Sequence, residues 1–298
     1  MDELLDKPVI LNQLTEEEKK QVRQFLNNKK PSVPFSKATL NDCVRPDGLA
    51  LDLRFIEPIA EVPFPTLRIP QEIVPPVPSD FMCEHLLSIW RFVVIDNAKA
   101  CRQLIDAILL EVLKSEFNDS LHQFCEVNND WDGPGFGYTG NVDYMLGSSR
   151  TKTVDTMDSF LLVVEAKKEW PDSAVPQALC EAGCLLKKRL AAGKKTPVFG
   201  VLTNGTDFRF FAIDIDGVVY ASGKKVLEPG EDGTYKSSSS LSEILRWFTW
   251  FMTAIKSISP RASSEDLTVE KIEDFLTQLR NCFGPKNPIS SKKIKIQK

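Results

Sequence analysis

One apolar segment of the chain ends in charged residues whose types and spacing suit the binding of a divalent cation. In DSFLLVVEAKKEW, residues 158–170, an apolar run leads directly into Glu165 and Lys167. Residues i and i+2 of a β-strand point to the same face, so we expect this carboxylate and this ammonium to lie side by side. A buried charge is costly without a partner, so both groups need compensation at the end of a central strand.

Two arrangements would compensate these charges. The first is a plain ion pair between Glu165 and Lys167. The second is a divalent cation on Glu165, with Lys167 orienting or deprotonating an attacking water, and it needs another carboxylate from a neighbouring strand. Asp143, in GNVDYMLG, precedes Glu165 by 22 positions, which is enough for a strand, a turn and a return strand. Asp143, Glu165 and the Ala166 carbonyl then offer the oxygen ligands that Mg²⁺ or Mn²⁺ prefers, and the ion would activate the water and neutralise a phosphate.

The elements that must position these residues follow from the spacing of apolar side chains. Apolar residues recur at intervals of three and four over 101–112, which indicates a helix packed on a core, whereas GNVDYML and DSFLLVVEAK are typical of strands. A mixed central β-sheet flanked by helices, in the α/β class, is the expected architecture. Before these two strands, the sequence predicts helical structure over 81–117 with a break near Asp96–Asn97, and a glycine-rich loop over 128–140. After them it predicts a helix over 173–193, a type I′ hairpin at Asn204–Gly205 and a strand over 218–221. Two further helices are predicted over 241–258 and 269–283.

The chain divides by composition into three parts. Residues 1–80 combine a charged helix over 1–29 with an extended arm in which recurrent prolines exclude a long helix. This arm is expected to pack on the core rather than to fold separately. Residues 81–284 form the α/β domain with its C-terminal helices, and the basic tail 285–298 is predicted to be disordered.

Charge and cysteine content restrict the class of protein. The net charge of −4 provides no global attraction to nucleic acid or to acidic membranes, so nucleic-acid binding requires a local basic patch. No apolar run has membrane-spanning length, and the acidic start lacks the features of a secretory signal. Seven scattered cysteines fit free thiols in a reducing, intracellular compartment. A nuclear location and a homodimer both remain open.

The residues singled out above are arranged as in a known group of nucleases. Val142-Asp143 and Glu165-Ala166-Lys167 resemble the two halves of the PD-(D/E)XK motif, and Gln177 follows Lys167 by ten residues, where many members carry a glutamine. The stretch over about 95–215 is similar to nuclease-like domains of fungal and oomycete proteins, including Crinkler-type effectors. The resemblance implies a restriction-endonuclease-like αβββαβ core that cleaves DNA, rather than RNA, with Mg²⁺ or Mn²⁺. It also implies that Gln177 helps to position substrate or water.

The sequence departs from this family on the first core helix. Many members carry a metal-binding glutamate there, and the corresponding residue here is Ala98. Glu111 on the same helix is a candidate substitute, although a solvated helix residue is the favoured interpretation. Without that ligand, the site would hold one metal ion instead of two, or the fold would serve as a binding module without activity.

Basic residues near the second half of the motif could contact phosphates. Lys168, Lys187, Lys188 and Arg189 are candidates for a phosphate-binding rim, and a solvated helix end that complements the helix dipole is an equal alternative. The sequence therefore predicts a metal-dependent endonuclease acting on nucleic acid. Its alternatives are a catalytically degraded effector module that binds nucleic acid or protein, and an unrelated α/β protein in which Glu165 and Lys167 form an ordinary ion pair.

Overall fold

The computed structural model describes residues 15, 30–53, 67–117, 121–148, 160–168, 174–258, 277 and 281. Within these ranges the chain is a mixed α/β protein, which confirms the predicted class. The helices are α1 (Leu40–Val44), α2 (Asp80–Phe92), α3 (Ala98–Val112), α4 (Ala174–Ala191) and α5 (Ser239–Ile258). The strands are β1 (Ser32–Pro34), β2 (His122–Asn128), β3 (Trp131–Asp132), β4 (Gly137–Thr139), β5 (Asn141–Gly147), β6 (Phe160–Ala166), β7 (Val198–Thr203), β8 (Asp207–Ile213), β9 (Val219–Ala221) and β10 (Lys225–Val226).

The larger sheet has seven strands in the order β10-β8-β7-β6-β5-β2, with β9 paired to β8. Its pairs are antiparallel except β6 and β7, which run parallel because α4 carries the chain back between them. Strand β7 is buried along its whole length, as expected for a central strand covered on both faces. The mixed sheet thus has β5, β6 and β7 near its centre.

Helices cover both faces of this sheet. Gly200 in β7 faces α4, since a side chain there would approach Ala182 at 3.5 Å. The preceding residue, Phe199, points to the opposite face, where its ring lies 4.5 Å from that of Phe251 in α5. Helix α3 packs beside α5 on that second face. In the described ranges, no helix is both long and apolar enough to cross a lipid bilayer.

The described part of the proline-rich arm packs against α4. Cys43, Leu49 and Leu51 are buried, and the Tyr138 hydroxyl donates a hydrogen bond to the Asp42 carbonyl at 2.6 Å. The prediction of a loop throughout 128–140 was wrong, because β3 and β4 form within it. The arm explains this, since β1 supplies a parallel partner for β4 that no local pattern reveals.

The other local predictions have mixed outcomes. The break near Asp96–Asn97 is confirmed, and the Asn97 side chain caps α3 by accepting a hydrogen bond from the Ala100 amide at 2.9 Å. The hairpin at Asn204–Gly205 is confirmed, but its turn type was wrong. A three-residue loop joins β7 to β8, and only its glycine has a positive φ, of +87°. The tail 285–298 lies outside the described residues, as do the helix predicted over 1–29, apart from residue 15, and most of 269–283.

Arg189 has a structural environment that the sequence did not indicate. Its side chain is 2 % exposed. The guanidinium donates to the Phe160 carbonyl at 2.9 Å and to the Thr196 hydroxyl through two nitrogens, at 2.8 and 3.1 Å. Arg189 therefore connects the end of α4 to the start of β6. Its guanidinium is buried and used inside the fold, so it is not a phosphate-binding residue.

We expect Arg189→Met to lower the free energy of unfolding by about 2–4 kcal/mol, because it leaves buried acceptors without donors. Urea unfolding followed by circular dichroism measures this loss. Arg45→Met is the matched control, since Arg45 makes a surface ion pair with Asp47 at 3.1 Å, and its replacement should lower the free energy of unfolding far less. Equal losses in the two variants would contradict the role given to Arg189.

Candidate active site

The pairing of β5 with β6 brings Asp143 and Glu165 together. Tyr144 lies opposite Val164 in this antiparallel pair, so the next residues in the same register are Asp143 and Glu165. The Ala166 amide also donates a hydrogen bond to Asp143 Oδ2 at 2.8 Å. Directly opposed residues have Cβ atoms about 5 Å apart and share a face of the sheet. The two carboxylates therefore face the same space at one end of the central strands.

Lys167 and Gln177 enclose the Glu165 carboxylate, which is 3 % exposed. Glu165 Oε1 accepts from Lys167 Nζ at 2.6 Å and from Gln177 Nε2 at 2.7 Å. Lys167 Nζ also donates to Gln177 Oε1 at 2.7 Å, which closes a triangle of contacts. The Lys167 backbone is held by its amide, which donates to the Thr203 carbonyl of β7 at 2.8 Å. Strand β6 and the first turns of α4 thus position all three groups predicted from the motif.

Sequence reasoning missed Glu181, which lies one helical turn after Gln177. Glu181 is fully buried, and its Oε1 accepts from Gln177 Nε2 at 2.9 Å. Its second oxygen, Oε2, has no hydrogen-bond partner among the described residues. The i, i+4 spacing of Gln177 and Glu181 in QALCEAG was the available signal, because such residues share one face of a helix.

Sequence reasoning also missed Arg102 and Glu126. The Arg102 guanidinium, from α3, donates to Asp143 Oδ1 and to Glu126 Oε1, the latter at 2.5 Å. Arg102 stands one helical turn after Ala98, so the two residues share a face of α3 and that face presents an arginine to the site. Glu126 has a φ of +53°, an uncommon conformation for a residue with a side chain.

Burial dominates the electrostatics of the three inner carboxyl groups. Desolvation and the charge of Asp143 raise the pKa of Glu165 to about 7, although Lys167 opposes the shift. Burial, followed by the charge of Glu165, raises the pKa of Glu181 well above its ordinary value. Burial also raises the pKa of Asp143, against the opposing effects of the Ala166 amide and Arg102. The cluster therefore has too little positive charge nearby for all its acids to ionise easily.

The donor set suits a hard divalent cation. Asp143, Glu165 and the Ala166 carbonyl offer oxygen ligands at the same end of the sheet, and a cation there would supply the missing positive charge. Glu181 is a further buried carboxyl group beside Glu165. Within the described ranges, however, no three His, Cys, Asp or Glu side chains already have the arrangement of a metal site. Asp143 Oδ1 is instead engaged by the Arg102 guanidinium.

Glu111 does not belong to this cluster. Its carboxylate accepts hydrogen bonds from the Ser79 amide at 2.5 Å and from the Ser79 hydroxyl at 2.9 Å, where α2 begins. Glu111 stands nine residues beyond Arg102 on α3, which corresponds to about 13 Å along the helix. The predicted role of Glu111 as a substitute metal ligand is therefore replaced by a contact between two helices.

The candidate substrate-binding lysines lie at different distances from the cluster. Lys168 is exposed and directly follows Lys167. Lys187 and Lys188 are half-buried on α4, and burial lowers the pKa of both. Since they follow Gln177 by ten and eleven residues, they lie about 15 Å from it along the helix axis. Of the three candidate lysines, Lys168 is thus the one adjacent to the site. Lys187 and Lys188 can contact only a ligand that extends along α4.

A scan against protein-family models matches no family to this chain, and a search of curated proteins finds no similar sequence.

Proposed function

We propose that this chain is a metal-dependent nuclease of the PD-(D/E)XK type that hydrolyses phosphodiester bonds, with DNA preferred over RNA. The observation that carries the proposal is the convergence of Asp143, Glu165, Lys167 and Gln177 at one end of the central strands. The order of the main elements supports it further. Helix α3, strands β2, β5 and β6, helix α4 and strand β7 follow the αβββαβ order of a restriction-endonuclease-like core.

In this proposal Asp143, Glu165 and the Ala166 carbonyl would hold Mg²⁺ or Mn²⁺. The ion would lower the pKa of a bound water and neutralise charge on the phosphate. Lys167 uses two of its three N–H groups on Glu165 and Gln177, which leaves one donor for the attacking water or a phosphate oxygen. Gln177 holds the lysine and the carboxylate in a fixed relative position.

We expect the exposed Lys168 to bind the nucleic acid beside the site. In this proposal its ammonium, on the residue after Lys167, would contact a phosphate flanking the scissile one. Lys187 and Lys188 would contact phosphates farther along the strand. The overall negative charge of the chain makes such local contacts necessary, so binding should weaken steeply as salt concentration rises.

We expect the purified protein to nick plasmid DNA in Mg²⁺ or Mn²⁺ and to leave it intact in EDTA. Gel electrophoresis of supercoiled plasmid measures the reaction. Asp143→Asn should remove the activity, because it removes a metal-binding charge. The matched control is Asp207→Asn, since Asp207 pairs with Lys224 at 3.3 Å on a different strand. A wild-type protein that is inert with every divalent metal tried would refute the proposed activity.

A binding module is the second candidate, and one observation favours it. Arg102 already neutralises Asp143, and Ala98 stands where the family places a further acid. Such a protein would bind nucleic acid without cleaving it. Fluorescence anisotropy with labelled DNA in EDTA measures binding without cleavage. A protein that binds this DNA but does not cleave it with any divalent metal would be the binding module.

A further inference from the structure

Three acidic residues form a row across three neighbouring strands. Cys125 pairs with Tyr144, and Val127 pairs with Val142, and Glu126 and Asp143 stand between these two pairs on their neighbouring strands. Asp143 in turn precedes the pair formed by Tyr144 and Val164, which places Glu165 on its other side. The row therefore runs Glu126, Asp143, Glu165 from β2 across β5 to β6.

Arg102 lies over this row and joins two of its members. One guanidinium nitrogen contacts Asp143 Oδ1 and the other contacts Glu126 Oε1. Its third nitrogen, Nε, is buried and has no hydrogen-bond partner among the described residues. The side chain is still 27 % exposed. Arg102 is thus held by ion pairs with two acids. Because its side chain is partly exposed, the guanidinium can move into solvent.

We propose that Arg102 is a resident counter-cation that competes with the divalent ion for Asp143 and thereby lowers the metal affinity of the site. This inference rests on the proposed function, because it concerns the same site. A metal ion about 2.1 Å from Asp143 Oδ1 and a guanidinium hydrogen-bonded to that oxygen would be within about 5 Å of each other. Since both are cations, each weakens the binding of the other.

The exchange has a defined structural consequence. Asp143 Oδ2 is held by the Ala166 amide whether or not Arg102 is present, so the carboxylate keeps its orientation when the guanidinium leaves. Arg102 then retains its contact with Glu126, whose side chain is 54 % exposed, and can move outward with it. Binding of the metal ion would therefore move the side chains of Arg102 on α3 and Glu126 on β2, while the backbone of the central strands stays in place.

The test is the affinity for Mn²⁺ alone, measured by isothermal titration calorimetry on metal-free full-length protein. We expect Arg102→Met to bind Mn²⁺ at least tenfold more tightly than the wild type. Arg102→Lys should have an intermediate affinity, because lysine keeps the charge but cannot bridge two acids with a planar fork. Arg45→Met is the matched control and should leave the affinity unchanged, since Arg45 pairs with Asp47 at the surface. The shift of the melting temperature with Mn²⁺ provides a second readout without substrate.

The outcomes separate this inference from the nuclease proposal. Wild-type protein that binds Mn²⁺ as tightly as both Arg102 variants would overturn the inference and leave the nuclease proposal standing. Variants that bind Mn²⁺ when the wild type does not would support the inference and show that arginine has replaced the metal. If neither the wild type nor the variants bind Mn²⁺, both proposals are overturned.

Discussion

Replacing Lys167 with methionine is expected to reduce metal-dependent DNA cleavage by at least ~100-fold, the scale of a positioned proton-transfer or charge-stabilising group. The Lys167 ammonium lies 2.6 Å from Glu165 and 2.7 Å from Gln177, beside the acids that would hold the ion. Methionine has a similar length but no donor for the water or the phosphate. Single-turnover cleavage of a labelled duplex at saturating Mn²⁺ measures the loss.

Two further measurements make this loss specific to Lys167. Lys168→Met removes the same charge from the adjacent, exposed residue and should change the rate only a few-fold, through weaker phosphate binding. Mn²⁺ titration of Lys167→Met should show that the ion still binds, because none of its ligands has changed. An unchanged cleavage rate in Lys167→Met would mean that the activity arises elsewhere.

Replacing Glu165 with glutamine is expected to stabilise the metal-free protein by about 1–2 kcal/mol near pH 8 and to have little effect near pH 5. The pKa of Glu165 is raised to about 7 by burial and by Asp143, so the ionised form is unfavourable in the folded state. A glutamine oxygen can keep both contacts of Oε1, from Lys167 and Gln177, without the charge. The new amide would stand near Glu181, whose pKa burial raises well above its ordinary value.

The sign of the pH dependence follows from this raised pKa. The ordinary pKa of a glutamate is 4.5, so the wild-type folded state binds more protons than the unfolded state between that value and about 7. Its stability is therefore complete below pH 4.5 and declines as pH rises through about 7. The decline amounts to ~3 kcal/mol for Glu165 alone. Glu165→Gln lacks this group, so its unfolding free energy should depend less on pH over the same range.

Urea unfolding in EDTA at several pH values measures both effects. Glu243→Gln is the matched control, because Glu243 pairs with Lys225 at 2.7 Å on the surface and is 48 % exposed. Breaking that pair should cost less than ~1 kcal/mol at either pH. An ordinary ion pair between Glu165 and Lys167 predicts the opposite sign, since glutamine would leave the ammonium without its partner. A clear loss of stability in Glu165→Gln near pH 8 would favour that simple pair.

The sequence alone determined the class of the fold and the local geometry of the motif. Apolar runs predicted β5 and β6, and helical spacing predicted α4 and α5, because strand and helix periods are properties of local sequence. The two-residue spacing of Glu165 and Lys167 predicted their contact for the same reason. The gap between Asp143 and Glu165 predicted adjacent strands, since it is long enough for a strand, a turn and a return strand.

Only the tertiary structure decided which charges compensate these acids. Glu126 and Asp143 follow Arg102 in the chain by 24 and 41 residues, and the three side chains meet because the guanidinium of Arg102 on α3 reaches both acids. The ladder of β1 with β4 likewise joins segments about a hundred residues apart. Periodicity reports which face of an element is buried, but not which distant element covers it. For that reason the burial of Arg189, the contact of Glu111 with Ser79 and the ion pair of Arg102 with Asp143 had no signal in the local sequence.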